Sequence, residues 1–482
     1  MTPHTSDANE RPPYDPELTD IARYVARERI ASPEAYETAR YCLMDSLACA
    51  LLALEFPACA RHLGPVVPGT HVPGGARVPG TGFVLDPVKA AFDIGALVRW
   101  LDFNDTWLAA EWGHPSDNLG GILAVADWVS RGNVSRGEAP LNVREVLTAM
   151  IQAHEIQGVL SIGNSFNRVG LDHVVLVKVA STAVVTRMLG GTEEQIAAAL
   201  SHAWVDGQSL RTYRQAPNTS SRKSWAAGDA TSRAVRLALM VLKGEPGLPS
   251  ALTAPKWGFD DVLFGGARLA LARPYGSYVM ENVLFKVAFP AEFHAQTAVE
   301  CALQLHPLVR ERLDEIERIE LRTQEPAIRI ISKTGPLHGP ADRDHCLQYM
   351  AAVALIHGRL TAECYEDGFA ADPRLDALRV RMTVAEEPRF TRDYYDPDLR
   401  SIGNAVRVWF RDGTSTPEIV VEYPLGHRRR RAEGLPLLVR KFRDALATRY
   451  PQSRAETVLG LCQDAKRLEG TPVHEFMDLL VA

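Results

Sequence analysis

The sequence has few cysteines, and they are not arranged in pairs. Seven occur among 482 residues, an odd number, and no two of them form a C-x-x-C motif. This pattern argues against a disulfide framework, a cysteine-based zinc site and a thiolate-bound iron–sulfur cluster. Any chemistry is therefore expected to depend on acid and base side chains, and the cysteines are expected to be small core residues.

The sequence also lacks an excess of positive charge and any long apolar run. Its 53 basic and 59 acidic residues leave a net charge of −6, which argues against a broad nucleic-acid surface. No stretch reaches the roughly 18 uninterrupted apolar residues of a membrane span. Residues 1–14 lack the apolar core of a signal peptide. We therefore expect a cytoplasmic protein that binds neither nucleic acid nor membrane.

Several well-known catalytic motifs are absent. The sequence contains no G-x-G-x-x-G, P-loop, H-E-x-x-H or G-x-S-x-G. His154 with Glu155 and His338 with His345 leave histidine-based metal binding open, but neither pair has a spacing typical of metal ligands. We therefore expect no metal and no cofactor.

Helical periodicity, by contrast, is abundant over residues 1–277. Ser32-Pro33-Glu34 is typical of a helix start, and Thr192 with Gln195 forms a capping-box pattern. Apolar residues at helical spacing predict further helices at Pro87–Leu101, Val143–Val159, His173–Leu189, Thr192–Trp204 and Trp225–Leu242. The pattern indicates a bundle several helices deep.

The periodicity changes beyond residue 277. Two-residue alternation over Ile316–Thr323 and Leu378–Val384 predicts strands, and Ala341–His357 is typical of a helix. Val406–Phe410 and Ile419–Tyr423, on either side of Asp412-Gly413, indicate a hairpin.

Helical patterns return at Pro436–Tyr450 and Arg454–Leu468. We therefore predict a mainly α protein with an α+β part. A large all-helical domain, residues 1–277 and 426–482, is interrupted by a smaller α+β domain, residues 278–425.

The densest polar cluster runs from Asp102 to Asn118, between two apolar helices. It includes Asp102, Thr106, Glu111 and His114, and it is far longer than the roughly five residues of an ordinary connection. Composition alone leaves two interpretations open, a functional loop or a helix-capping connector.

Four other residues are candidates for chemistry. His173 and Lys223 lie at predicted helix starts, where unpaired N–H groups favour carboxylate binding. Lys286 is a charge inside the apolar run 284–290, and such a charge is costly unless it is paired. Tyr349 ends the segment Asp344-His345-Cys346-Leu347-Gln348-Tyr349, inside the helix predicted over Ala341–His357. Each also has an ordinary interpretation, as a surface, paired or core residue.

Taken together, these segments resemble the MmgE/PrpD family. The resemblance runs over nearly the whole chain and is most specific over Arg99–Trp128; it is carried by Leu101–Trp107, Trp112–Gly121, Asn164–Ser181, Ser209–Thr231, Tyr275–Gln296 and Pro340–Ala351. It implies an all-helical domain with an inserted α+β lid, an active site between them, and a homodimer. The residues that match those of a related decarboxylase site are Asp102, Thr106, His114, His173, Lys223, Lys286 and Tyr349.

The resemblance further implies the metal-free dehydration of a small tricarboxylate, 2-methylcitrate. In that chemistry Thr106, Lys223 and Lys286 would bind carboxylates. His114 or His173 would act as the base, the other histidine or Tyr349 as the acid, and Asp102 would orient a neighbouring group. Activity on citrate or cis-aconitate stays open. So do decarboxylation, epimerisation of a related dicarboxylate and a purely structural helical scaffold.

Overall fold

The computed structural model describes residues 10–215 and 217–482. Helices dominate up to residue 282: α1 Pro16–Arg27, α2 Pro33–Ala53, α3 Pro57–Ala60, α4 Pro87–Arg99, α5 Leu119–Ser135, α6 Val143–Gly163, α7 Val174–Met188, α8 Glu193–Val205, α9 Arg222–Leu242, α10 Phe259–Leu263 and α11 Tyr278–Asn282. A short antiparallel pair, β1 Ala76–Arg77 and β2 Val84–Leu85, precedes α4.

Helix starts in this part follow the predicted local signals. Ser32 accepts a hydrogen bond from the Ala35 N–H at 3.2 Å, and α2 begins at Pro33. Thr192 and Gln195 form a reciprocal capping box at the start of α8. The predicted helices of residues 1–277 are thus confirmed, with shifts of a few residues at their ends.

The α+β part combines short helices with a four-stranded sheet. Its elements are α12 Gln296–Val309, β3 Ile316–Thr323, α13 Glu325–Ile331, α14 Pro340–Arg343, α15 Leu347–His357, α16 Asp367–Ala370, α17 Pro373–Arg379, β4 Met382–Glu386, α18 Pro388–Tyr395, β5 Asn404–Phe410 and β6 Ile419–Val421. The strand order is β4-β3-β5-β6. The β3–β4 pair is parallel and the other two pairs are antiparallel, so the predicted hairpin is confirmed as β5–β6.

Two predictions in this part were wrong in detail. The strand predicted from Leu378 begins only at Met382, because Asp372 caps α17 and Pro373 starts it, and that helix continues to Arg379. The single helix predicted over Ala341–His357 is interrupted between α14 and α15. The interruption leaves Asp344 and His345 outside both helices.

The chain ends in helices α19 Arg431–Ala447, α20 Gln452–Gln463, α21 Ala465–Gly470 and α22 Val473–Leu480. The pattern read as one helix over Arg454–Leu468 is thus two helices, separated at Asp464, which caps α21.

Two large apolar clusters divide the described residues. One joins α1–α11 with α19–α22, so both ends of the chain share it, and the other lies between Phe289 and Phe410. The mainly α fold class with an α+β part is confirmed. The boundaries at residues 277/278 and 425/426 stay a proposal. This division of the core supports the second boundary, but residues of α11 and onward to Val287 pack in the helical cluster, beyond the first one. Among the described residues no helix is long and apolar enough to cross a membrane.

Candidate active site

The connector between α4 and α5 is folded and buried rather than a surface loop. Trp107 and Gly113 pair through two backbone hydrogen bonds of 2.8 and 3.0 Å, which close the segment 108–112 into a loop. Thr106 pairs in the same way with Leu284, just beyond α11, at 2.7 and 2.9 Å. Residues 101–108 are all buried. Asp105 and His114 are therefore brought side by side on the two sides of the closed loop.

Asp102 lies among cations. Its backbone has φ 50°, a left-handed conformation uncommon for a residue with a side chain. The Lys286 ammonium donates to the Asp102 carbonyl at 2.6 Å and to its carboxylate at 2.8 Å, and the Arg99 guanidinium also donates to that carboxylate. Burial raises the pKa of the Asp102 carboxyl, but Arg99 and Lys286 outweigh burial and hold it well below its usual range. Asp102 thus compensates the buried charge of Lys286.

His114 is held in one tautomer. Its Nδ1 lies 2.6 Å from the Asp105 carbonyl oxygen, which can only accept, so Nδ1 carries the proton. The unprotonated Nε2 lies 3.0 Å from Arg99 Nη2 and 3.6 Å from the Asp102 carboxylate. Burial and the adjacent Arg99 charge hold the pKa of His114 well below its usual value, against the opposing effect of Asp102. His114 is therefore a neutral imidazole.

His173, the residue before α7, lies beside His114 but among carboxylates. The two ring centroids are 5.6 Å apart. The His173 Nδ1 lies 3.3 Å from Asp172 and its Nε2 lies 3.7 Å from Asp117. Among the described residues neither ring nitrogen has a hydrogen-bond partner. Burial lowers the pKa of His173, while Asp172 and Asp117 act in the opposite direction. A negatively charged ligand would add to that opposing effect.

Lys223, in the first turn of α9, connects the helical part to the α+β part. Its ammonium donates to the Asp344 carboxylate at 2.6 Å and lies 3.3 Å from His345 Nδ1. Both partners lie at the interruption between α14 and α15. Burial lowers the pKa of Lys223, and Asp344 and Asp102 partly offset this lowering. Lys223 and Asp102 therefore belong to one electrostatic cluster.

The structure brings six of the seven predicted residues together: Asp102, Thr106, His114, His173, Lys223 and Lys286. The Thr106 hydroxyl lies 3.3 Å from His114 Nδ1, so here it contacts the histidine. Its predicted contact with a substrate carboxylate stays a prediction.

Tyr349 is not brought into this cluster. Its hydroxyl donates to the Cys364 carbonyl at 2.6 Å, and its ring packs in the apolar cluster of the α+β part. This placement matches the ordinary interpretation, a core aromatic with one hydrogen bond. Tyr365 lies nearer to the site and lines the same pocket as Asp344 and Leu101. Burial raises its pKa, and the charges of Asp344 and Asp102 add to that effect.

The sequence interpretation did not single out Arg99, Asp117, Asp172 or Asp344. Arg99 is a cation in the last turn of α4, a position with an ordinary capping explanation. Asp344 owes its position to the helix interruption, which the apolar periodicity of the region hides.

Two pockets adjoin the cluster. One of about 230 Å³ lies between the helical and α+β parts and is lined by residues that include Leu101, Ser224, Asp344 and Tyr365. Another of about 520 Å³ is lined by the closed loop, including Trp112, and by Arg168, Arg329 and Arg400. The smaller pocket therefore reaches the cluster at Asp344, the partner of Lys223, whereas the larger one lies on the outer side of the closed loop.

One group of possible metal ligands occurs among the described residues in this region. Donor atoms of Cys42, Asp105 and His154 lie within 4.8 Å of one another. The His154 ring nitrogens are 2.8 Å from the Met150 carbonyl and 2.8 Å from the Asp105 carboxylate, so both are already hydrogen-bonded. Burial raises the pKa of the Cys42 thiol well above its usual value, which disfavours a thiolate ligand. These contacts fit a hydrogen-bonded cluster better than an ion site.

Two family models match most of the chain. Residues 19–272 match the MmgE/PrpD N-terminal domain, and residues 289–465 match the MmgE/PrpD C-terminal domain. The chain belongs to the MmgE/PrpD family. The predicted family is thus confirmed.

Relatives in the family are similar over almost their whole length. The 2-methylcitrate dehydratase of Escherichia coli K12 is 62% identical over 98% of this chain and 99% of its own. That of Cupriavidus necator is 63% identical over 98% of both chains. The mitochondrial 2-methylcitrate dehydratase of Yarrowia lipolytica is 59% identical over 98% of this chain and 91% of its own.

Proposed function

We propose that the protein is a hydro-lyase that converts 2-methylcitrate into 2-methyl-cis-aconitate and water. The observation that carries the proposal is the near-full-length identity to proteins named 2-methylcitrate dehydratase. The buried group of histidines and cations supplies the chemistry that such a reaction needs.

The first requirement of the reaction is neutralisation of charge. The proton to be removed lies on a carbon next to a carboxylate, and negative charge develops there as the proton leaves. Lys286, Arg99 and Lys223 provide buried positive charge, which acts more strongly in a water-excluded site than in water. These three residues are proposed to hold the substrate carboxylates.

The second requirement is a base and an acid. The surroundings of the two histidines favour His114 as the base, because nearby cations keep it neutral and its Nε2 is unprotonated. His173 is proposed as the acid. Asp172 and Asp117 lie beside it, and the charge of a bound tricarboxylate would further favour its protonated form. His114 would take the carbon-bound proton, and His173 would protonate the departing hydroxyl, which leaves as water.

The family resemblance also implies a cytoplasmic homodimer, and we include both features in the proposal. Light scattering on the purified protein tests the dimer. A mass near one chain would contradict it.

A substrate panel tests the function directly. Purified protein is incubated with 2-methylcitrate, citrate and cis-aconitate, while alkene formation and CO₂ release are followed together. We expect alkene from 2-methylcitrate without CO₂, and formation of that alkene about 100-fold slower or more with the His114→Ala variant. CO₂ release from cis-aconitate without dehydration would instead support a decarboxylase. No turnover of 2-methylcitrate would refute the proposal.

A further inference from the structure

Asp105 and His154 form a buried pair next to His114. Neither side chain belongs to the cluster of six predicted residues described above. The His154 Nε2 is 2.8 Å from the Asp105 carboxylate, and its Nδ1 is 2.8 Å from the Met150 carbonyl. The side chains of Asp105 and His154 are 0% and 1% exposed. Both ring nitrogens face oxygen acceptors, so each is placed to donate a hydrogen bond. Burial raises the pKa of the Asp105 carboxyl, but the hydrogen bond and charge of His154, together with the hydrogen bonds of Ser116, outweigh burial and keep it below its usual value.

Asp105 connects this pair to His114 through its own backbone. One carboxylate oxygen accepts from His154, and the other accepts from the Ser116 N–H at 3.0 Å. The Asp105 carbonyl is the oxygen that receives the His114 Nδ1 proton. Since both carboxylate oxygens are held, the residue has little freedom to turn this carbonyl away.

We propose that the Asp105–His154 pair is a positioning unit, which fixes the tautomer and orientation of His114 so that Nε2 points into the site as the base. The catalytic part of this inference rests on the proposed function. The structural part, that His154 determines the His114 tautomer, can be tested without any turnover.

The charged groups around His114 determine how a substitution at His154 would shift the pKa of His114. They come from α4, the connector, the start of α7 and the segment after α11: Arg99, Asp102, Asp105, His173 and Lys286. Removing the charge that His154 places beside Asp105 leaves the Asp105 carboxylate uncompensated, and this favours protonated His114. The base is then lost at a higher pH, so the acid limb of the kcat/KM profile moves to higher pH.

The experiment compares His154→Leu with His154→Gln and with Cys42→Ala. Leucine removes the donor to Asp105, and we expect kcat to fall about 10- to 100-fold with little change in KM. Glutamine keeps a donor and is expected to recover most of that loss, although its acid limb still moves upward. Cys42→Ala removes only a weak thiol contact of 3.5 Å to each member of the pair and keeps the His154–Asp105 hydrogen bond. It therefore controls for lost packing at the pair, and its kcat and acid limb are expected to stay close to those of the unsubstituted protein.

Nitrogen-15 spectra of histidine-labelled protein give the readout that is independent of activity. We expect a single Nδ1–H tautomer for His114 in the unsubstituted protein and in Cys42→Ala, and a mixture in His154→Leu. If folded His154→Leu keeps the single tautomer, kcat and the acid limb, the inference is overturned. If that variant does not fold, an unchanged acid limb in His154→Gln overturns it.

Failure of the proposed function can be distinguished from failure of the positioning inference. Absence of 2-methylcitrate turnover would refute the proposed function, while the tautomer comparison would still decide the structural part. An equivalent of bound metal that disappears in the His154 variants would replace the positioning unit with a metal site.

Discussion

His114 and His173 lie side by side, yet their surroundings differ. The closest charges to His114 Nε2 include the Arg99 guanidinium, whereas both ring nitrogens of His173 face carboxylates. Burial lowers the pKa of both rings. At His114, Arg99 and Lys286 add to this effect and Asp102 opposes it, whereas at His173, Asp172 and Asp117 oppose it and Arg214 adds to it. In the proposed mechanism these different neighbours give two residues of one type different tasks, which is the general way in which one site supplies both an acid and a base.

The largest effect is expected for His114→Ala. Loss of the base should lower kcat by about 100-fold or more. Exchange of the substrate's carbon-bound proton with solvent deuterium should fall equally, because that exchange needs the same base. Circular dichroism checks that the variant is folded. Near-normal turnover would remove His114 from the mechanism.

His173→Ala should separate the two roles. We expect dehydration to fall by about 100-fold, because the hydroxyl leaves without a proton donor. Deuterium exchange should be retained, since His114 still removes the proton; mass spectrometry of recovered substrate measures it. Equal loss of exchange in both variants would contradict the division of roles.

Asp117→Asn tests the carboxylates beside His173. Asp117 helps to raise the pKa of His173, so its neutralisation should lower that pKa further. The protonated acid is then lost at a lower pH, and the alkaline limb of the kcat profile should move to lower pH by a few tenths of a unit or more. The acid limb, assigned to His114, serves as the internal control. An alkaline limb that stays in place would argue against His173 as the acid.

Tyr349→Phe should leave the roles of both histidines unchanged, because Tyr349 packs in the apolar cluster of the α+β part and contacts neither His114 nor His173 among the described residues. Its hydroxyl satisfies one buried carbonyl, so we expect a loss of about 1 kcal/mol in the free energy of unfolding. Turnover should stay within about twofold, as for other groups that make no contact with reacting atoms. Denaturant unfolding and steady-state kinetics measure the two effects. A large fall in kcat would restore Tyr349 as a candidate acid.

Dialysis against a chelator should have the smallest effect. The seven cysteines are all buried and unpaired, and burial raises the pKa of most of the thiols, which disfavours cluster ligation. We expect unchanged activity on 2-methylcitrate. Loss of activity that only iron restores would overturn the metal-free prediction.

Periodicity was sufficient for the helices, because apolar spacing and capping residues act locally. It failed where local and tertiary signals compete: apolar residues continue from Cys346 along α15, and this run conceals the break at Asp344. The contacts of Lys223 and Lys286 depend on residues more than a hundred positions away. The sequence pattern could select the two lysines as candidates, but only the family resemblance could predict that they lie in the same site as the histidines.

Tyr349 shows the limit of inference by motif. A residue can match a family position in type and still direct its hydroxyl to a local carbonyl, since hydrogen-bond partners are decided by the surrounding backbone. The Asp105–His154 pair shows the opposite case. Asp105 belongs to the polar connector but was not singled out, and His154 was considered only with Glu155 as a weak metal-binding pair. A histidine within a long apolar helix also has an ordinary core interpretation.

The backbone pairing of Trp107 with Gly113 separates the residues that line a pocket from those proposed to transfer protons. The shape of the pocket and the chemistry could therefore change independently. Leu108, Ala109, Ala110 and Trp112 lie beyond the paired backbone and line the larger pocket, whereas the Glu111 carboxylate accepts hydrogen bonds from Asn167. Substitutions at these four positions would therefore reshape the pocket while leaving the contacts of Asp105 and His114 in place. Laboratory libraries confined to the four positions, with Glu111 kept, would vary the pocket at little cost to the proposed chemistry.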